Sequence, residues 1–120
     1  MTTGPVHTLE LGAGTLVNST WVTLFTVPTG FVYVPTCIDF TAEQSEGIHR
    51  QVSFKLSQDH TIDALVLAGV MVLATQYSRG FWHWTGRREV PEGASWYGWK
   101  DPGDADTVSY RITGYKLTLP

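Results

Sequence analysis

Residues 81–119 constrain the fold of this chain more than any other stretch, because a well-defined turn joins two tryptophan-rich runs there. Four of the five tryptophans fall in this stretch, on either side of Val90-Pro91-Glu92-Gly93. Pro91 pre-sets the φ angle that begins a turn, and Gly93 permits the positive φ that completes it. The sequence therefore predicts that the chain reverses here between two aromatic strands of an antiparallel sheet.

An alternation with a period of two recurs in the rest of the chain. In residues 20–27 the positions alternate through aromatic and β-branched residues, and Pro28-Thr29-Gly30 then turns the chain. Runs of this kind, bounded by turn residues, are typical of strands. Strands are predicted over residues 6–11, 20–27, 31–42, 48–56, 81–84, 94–99 and 108–117. Their spacing predicts one all-β domain over residues 1–120, built as a β-sandwich or barrel.

Three places depart from this simple pattern. The glycines of Gly12-Ala13-Gly14 predict a turn that closes the first strand. Pro35 has no N–H to donate to a ladder, so it marks either a sheet edge or a bulge. The apolar residues of the last strand change parity at Gly114, which predicts a β-bulge at that glycine.

Residues 62–75 allow two interpretations. Two continuous apolar runs, residues 64–68 and 70–74, lie on either side of Gly69. Length and apolarity alone do not distinguish a buried helix from strands. The central glycine and the β-branched residues favour two short strands.

Charge and cysteine content exclude several classes of function. Charged residues make up 16% of the chain and the net charge is −3, so no basic field would attract a nucleic acid. No apolar run is long enough to span a membrane, and no signal peptide is visible, so synthesis in a cytosol is expected. Cys37 is single, which excludes an intrachain disulfide or a zinc knuckle. The low charge favours a surface that a partner partly covers.

The sequence contains no catalytic motif, and it predicts a protein that is not an enzyme and needs no cofactor. The nucleophile elbow, the zinc-protease motif and the phosphate-binding loop are all missing. Cys37 is most simply a small buried or edge residue of a strand. The four histidines are scattered without metal-ligand spacing, at His7, His49, His60 and His83.

An acidic loop is a weak candidate for a metal site. Asp101, Asp104 and Asp106 could supply oxygen ligands to calcium. Their spacing matches no EF-hand, and the neighbouring Pro102 and Gly103 favour an ordinary solvated turn. No metal is therefore predicted.

The aromatic residues leave three interpretations open. By strand parity, Trp82 and Trp84 face one way and Phe81 and His83 the other. One core cannot bury large aromatic residues on both faces, so one face must meet solvent, a sugar or another protein chain. The aromatic residues could stabilise the sheet through cross-strand pairs, form a protein–protein interface, or stack on sugar rings. The candidate interface or sugar-binding residues are Trp82, Trp84, Trp96, Tyr97 and Trp99.

Three segments, taken together, resemble a known family. They are the strand of residues 20–30 with its Val-Pro-x-Gly ending, the turn of residues 88–96, and the closing strand of residues 108–115 with its Gly-Tyr pair. In this order they are similar to small β-sandwich virion proteins of tailed bacteriophages, found as capsid decoration, head-fibre or tail ornament proteins. Pro35 and the tryptophan-rich stretch of residues 81–99 depart from the family pattern.

The resemblance implies a jelly-roll-like antiparallel β-sandwich of about eight strands, located in the virion. It implies a structural protein that decorates or stabilises a capsid, or ornaments a tail, by protein–protein contacts. Its partners would be the phage major capsid protein or other virion proteins, and further copies of itself, with a trimer as the first expectation. The alternative is a carbohydrate-binding receptor or adhesion module that recognises a surface glycan with its aromatic residues.

Overall fold

All regular structure in the described part of this protein is β-strand, which confirms the predicted fold class. The computed structural model describes residues 9–17, 20–43, 50–59, 65–73, 79–100 and 107–120. The eight strands are β1 (Leu9–Thr15), β2 (Val22–Thr26), β3 (Phe31–Glu43), β4 (Arg50–Ser57), β5 (Leu65–Leu73), β6 (Arg79–Thr85), β7 (Ser95–Lys100) and β8 (Thr107–Thr118). Across these ranges there is no helix of the length and apolarity needed to cross a membrane.

The strands form two four-stranded sheets that pack face to face. Their orders are β1-β8-β3-β6 and β2-β7-β4-β5, and neighbouring strands are antiparallel. Strand β1 pairs with β8, β2 with β7, β3 with β6, and β4 with β5. These are the pairings of one long hairpin, β1–β4 against β5–β8, that folds over to form both sheets. This arrangement is a jelly roll. The outer strands also meet across the sandwich, β1 against β2 and β5 against β6.

Aromatic rings from both sheets interlock in the core. Phe40 of the first sheet and Phe54 of the second have ring centroids 4.3 Å apart. Trp82 reaches in from β6 and lies 5.1 Å from the ring of Phe54, edge to face. Towards the other end of the sandwich, Trp96 packs against Phe25 at 5.2 Å. The contacts of Phe54 with Phe40 and Trp82 join the two sheets through large side chains, which bury much apolar area per residue. Trp96 and Phe25 are cross-strand partners within the second sheet.

Within the described residues 65–73, the segment that allowed two interpretations is one strand. Strand rather than helix is therefore confirmed, and the division into two short strands is wrong. β5 runs through Gly69, which pairs with Phe54 of β4. A Cβ atom at position 69 would lie 2.6 Å from the Phe54 ring and 2.9 Å from Nε1 of Trp82. The glycine therefore makes room for two core rings and does not interrupt the strand.

Replacement of Gly69 by valine is expected to lower the free energy of unfolding by about 1–3 kcal/mol, because it overpacks the core. Ala68→Val is the matched control, since Ala68 is the exposed neighbour on the same strand and added volume there meets solvent. Urea denaturation of both variants measures the difference. Equal effects would show that crowding against Phe54 and Trp82 is not the reason for the glycine.

The β-bulges of the first sheet lie in β1 and β3, the two strands that pair with β8. Pro35 of β3 pairs with Gly114 and Cys37 with Thr113, so Thr36 is an extra residue. Of the two alternatives predicted at Pro35, a sheet edge or a bulge, the structure has the bulge, because β3 is a central strand. Leu11 of β1 is likewise an extra residue, without a pairing partner on β8. The β-bulge predicted in β8 at Gly114 is wrong, since β8 itself contains no extra residue.

The first strand also differs from the expectation. The turn predicted at Gly12-Ala13-Gly14 is wrong, because β1 continues through all three residues to Thr15. A Cβ atom at position 12 would lie 2.5 Å from the carbonyl oxygen of Leu24, so Gly12 permits a close approach between β1 and β2. The other predicted turns are confirmed at Gly30 and Gly93, which have φ angles of 90° and 80°.

Candidate functional site

The five aromatic residues singled out by the sequence do not form one surface. Trp82 and Trp84 of β6 are half-buried and pack against the core. Trp96 of β7 is only 2% exposed, so it has almost no surface to offer a ligand. Tyr97 and Trp99 lie on the opposite face of β7 and are half-buried. The structure thus divides the predicted set between the interior and the outer face of the second sheet.

The strand topology explains this division. The turn before β7 forms as predicted, with the Ala94 N–H donating to the Pro91 carbonyl at 3.2 Å. However, the two aromatic strands on either side of the turn do not pair with each other. β6 is the edge strand of the first sheet and β7 lies inside the second. Their inward-facing tryptophans therefore meet the same core from opposite sides.

The parity argument for β6 is confirmed. Of the two pairs, Trp82 and Trp84 face the core, while Phe81 and His83 face outward and are exposed. Phe81 is 72% exposed, the highest value among the exposed large apolar side chains of the described residues. A cavity of about 350 Å³ lies beside it, and its polar lining includes Thr41, Ser109 and Arg111. The outer face of the first sheet therefore presents an exposed apolar side chain beside a concave surface lined by both polar and apolar residues.

A cluster of three polar side chains lies on this same face. Cys37 and Asp39 of β3 approach each other with Sγ 3.6 Å from Oδ2. His83 of β6 is hydrogen-bonded through Nδ1 to Oδ1 of Asp39. The same nitrogen lies 3.8 Å from Sγ of Cys37. A sulfur, an oxygen and a nitrogen atom thus converge within 4.8 Å of one another.

Sequence reasoning missed this cluster. Asp39 and His83 are 44 positions apart and meet only because β3 pairs with β6, so spacing along the chain does not reveal them as neighbours. The available signal was the Cys37-x-Asp39 spacing on a predicted strand, since residues two apart share a face. Nothing in the sequence indicates which histidine lies opposite.

The cluster does not have the geometry or the electrostatics of a nucleophilic triad. In such a triad the two imidazole nitrogens serve different partners, one the nucleophile and the other the carboxylate. Here Cys37 and Asp39 both approach Nδ1 of His83. Burial raises the pKa of the Cys37 thiol above its usual value; Thr113 opposes this shift, and the Asp39 carboxylate adds to it. The thiol is therefore protonated at neutral pH and is a weak nucleophile.

The outer face of the second sheet carries a smaller aromatic group. The rings of Trp21 and Trp99 are 6.4 Å apart and tilted by 41°. Nζ of Lys55 lies 4.6 Å from the centroid of the Trp99 ring, within the range of a cation–π interaction. The group combines half-buried indole surfaces with one positive charge.

The weak calcium candidates Asp101, Asp104 and Asp106 lie outside the described residues. A scan against protein-family models and a search of curated proteins each found no match.

Proposed function

We propose that this chain is a non-enzymatic structural protein of a tailed-bacteriophage virion. It attaches to the capsid or the tail and to further copies of itself by protein–protein contacts. The observation that carries the proposal is the exposure of Phe81 on the outer face of the first sheet. The jelly-roll strand order and the resemblance of residues 20–30, 88–96 and 108–115 to small virion proteins support it. Because one fold can carry many functions, the exposed surface is stronger evidence for this function than the strand order is.

Phe81 has the properties of an interface anchor. Covering its side chain would contribute about 1.5–3 kcal/mol of apolar transfer free energy, and aromatic residues are enriched in protein interfaces. The adjacent cavity supplies a concave surface, and Asp39 and Arg111 in its lining provide charges of both signs. β6 is an edge strand, so a neighbouring chain can approach it from the side. A second copy of this chain, in a trimer by analogy with phage decoration proteins, is the occupant we infer.

The proposal is tested by replacing Phe81 with serine. Light scattering at micromolar concentration should find an oligomer for the unchanged protein and a monomer for Phe81→Ser, with stability nearly the same in both. The loss should be in association because Phe81 contributes little to the core. Val17→Ser is the matched control, since Val17 is 51% exposed and follows β1 at the opposite edge of the sheet. It should leave the mass unchanged.

Binding to stripped phage heads, measured by co-sedimentation, tests the second part of the proposal. The unchanged protein should sediment with the heads and Phe81→Ser should remain in the supernatant. An unchanged protein that is a clean monomer and also fails to bind heads would remove the proposal. Equal behaviour of Phe81→Ser and Val17→Ser would place the interface elsewhere.

A second candidate function is supported by the outer face of the second sheet. Sugar rings stack on indole surfaces, and Trp21 with Trp99 offers two of them beside Tyr97. In that case the protein is a carbohydrate-binding receptor or adhesion module. Trp99→Ala should then abolish binding to host-surface glycans while association through Phe81 survives. Glycan binding by the unchanged protein is the result that favours this candidate.

A further inference from the structure

We propose that Cys37, Asp39 and His83 form a binding site for one divalent transition-metal ion of the zinc class. The site lies on the outer face of the first sheet and joins β3 to the edge strand β6. It does not rest on the proposed virion function, because it follows from the side chains and their placement alone.

The strand geometry places the three donors together. Cys37 and Asp39 are two residues apart on β3, so their side chains share a face. His83 is the direct cross-strand partner of Asp39 on β6, and side chains of such pairs are neighbours. The backbone of a regular antiparallel ladder therefore holds all three residues. No loop is needed to form the site.

The distances are close to those of a tetrahedral zinc centre. With Zn–S of about 2.3 Å and Zn–N or Zn–O of about 2.0–2.2 Å, donor atoms lie roughly 3.4–3.6 Å apart. Sγ of Cys37 is 3.6 Å from Oδ2 of Asp39 and 3.8 Å from Nδ1 of His83. Asp39 would supply one of its two carboxylate oxygens, and its hydrogen bond from Oδ1 to Nδ1 of His83 would open to admit the ion. Both side chains are about half exposed, so they have room to rotate.

The types of donor atom select the class of metal. Thiolate and imidazole ligands with one carboxylate suit zinc and similar borderline ions, whereas calcium and magnesium prefer oxygen ligands alone. Three protein ligands leave the fourth tetrahedral position to water. Because the ligands must be deprotonated, binding releases the thiol proton of Cys37 to solvent and uses the imidazole with its proton on Nε2.

Titration calorimetry with Zn²⁺ and absorption spectroscopy with Co²⁺ test the site in the reduced protein. One Zn²⁺ should bind, and Co²⁺ should produce a thiolate-to-cobalt charge-transfer band that identifies Cys37 as a ligand. Cys37→Ser should abolish the band, and Asp39→Asn and His83→Ala should each weaken Zn²⁺ binding by at least about 10-fold. Thr85→Ala is the control, because Thr85 is exposed and pairs with Cys37 across the same two strands.

Thermal melting separates lost metal binding from lost folding. Without metal, all variants should melt cooperatively, since the cluster lies outside the core. Zn²⁺ should raise the Tm of the unchanged protein and of Thr85→Ala, and it should raise that of His83→Ala less at the same Zn²⁺ concentration, because a ligand that binds only the folded state stabilises it by an amount that increases with its affinity. Zn²⁺ binding of the same affinity in Cys37→Ser and His83→Ala as in the unchanged protein would overturn the proposal. So would a missing charge-transfer band in the unchanged protein.

Discussion

Replacement of Gly114 by alanine is expected to lower the free energy of unfolding by more than about 3 kcal/mol, beyond the usual effect of one added methyl group. A Cβ atom at position 114 would collide with the carbonyl oxygen of Val34 and lie 2.9 Å from Cα of Pro35. These are backbone atoms of the central strand β3, so they cannot rotate away as a side chain would. The bulge at Thr36 faces this glycine, so relief would require rebuilding the register of β3 on β8. Urea denaturation followed by tryptophan fluorescence measures the loss.

Gly30→Ala is the matched control for Gly114→Ala. Gly30 has a φ of 90°, and a Cβ atom there would meet nothing within 4 Å. Its replacement should cost only the strain of a left-handed backbone, about 1–2 kcal/mol. If the two alanine variants lose the same stability, the close approach of β3 and β8 is not what requires glycine at position 114.

Replacement of Trp96 by alanine is expected to cost about 3–5 kcal/mol, the usual range for removing a large buried aromatic side chain. Trp96 is 2% exposed and packs against Phe25, so the change leaves a cavity between the two sheets. Chemical denaturation at equilibrium, compared with the unchanged protein, gives the difference.

Trp99→Ala is the control for Trp96→Ala, because it removes the same side chain three positions along the same strand. Trp99 faces outward, where it contacts Trp21 and Lys55. Its loss should cost about 1 kcal/mol, mostly the cation–π contribution and partial apolar burial. A loss at Trp99 as large as that at Trp96 would contradict the division of β7 into an inner and an outer face.

Local chemistry explains which features the sequence could predict. Alternation with a period of two depends only on neighbouring residues, and it indicated seven of the eight strands and a shared face for Trp82 and Trp84. It left open whether that face meets the core, and the structure shows that it does. The positive φ angles of Gly30 and Gly93 follow equally from local turn chemistry. Because these signals need no knowledge of distant partners, the all-β class was predictable from the sequence.

Features that depend on distant partners were decided only by the tertiary structure. The sequence shows glycines at Gly12, Gly69 and Gly114. The atoms that leave no room for a Cβ at these positions belong to other strands. The single strand β5, the extra residue at Thr36 and the separation of the two aromatic strands likewise depend on which strands pair.

The candidate metal site follows the same rule. Cys37 and Asp39 share a face by local geometry, and only the pairing of β3 with β6 brings His83 opposite them. Strand pairing is a choice among segments far apart in the chain, and the packing of the whole sandwich determines its free energy. Residue spacing along the sequence therefore predicted the strands, while the choice of partners, and with it the candidate site, belongs to the folded molecule.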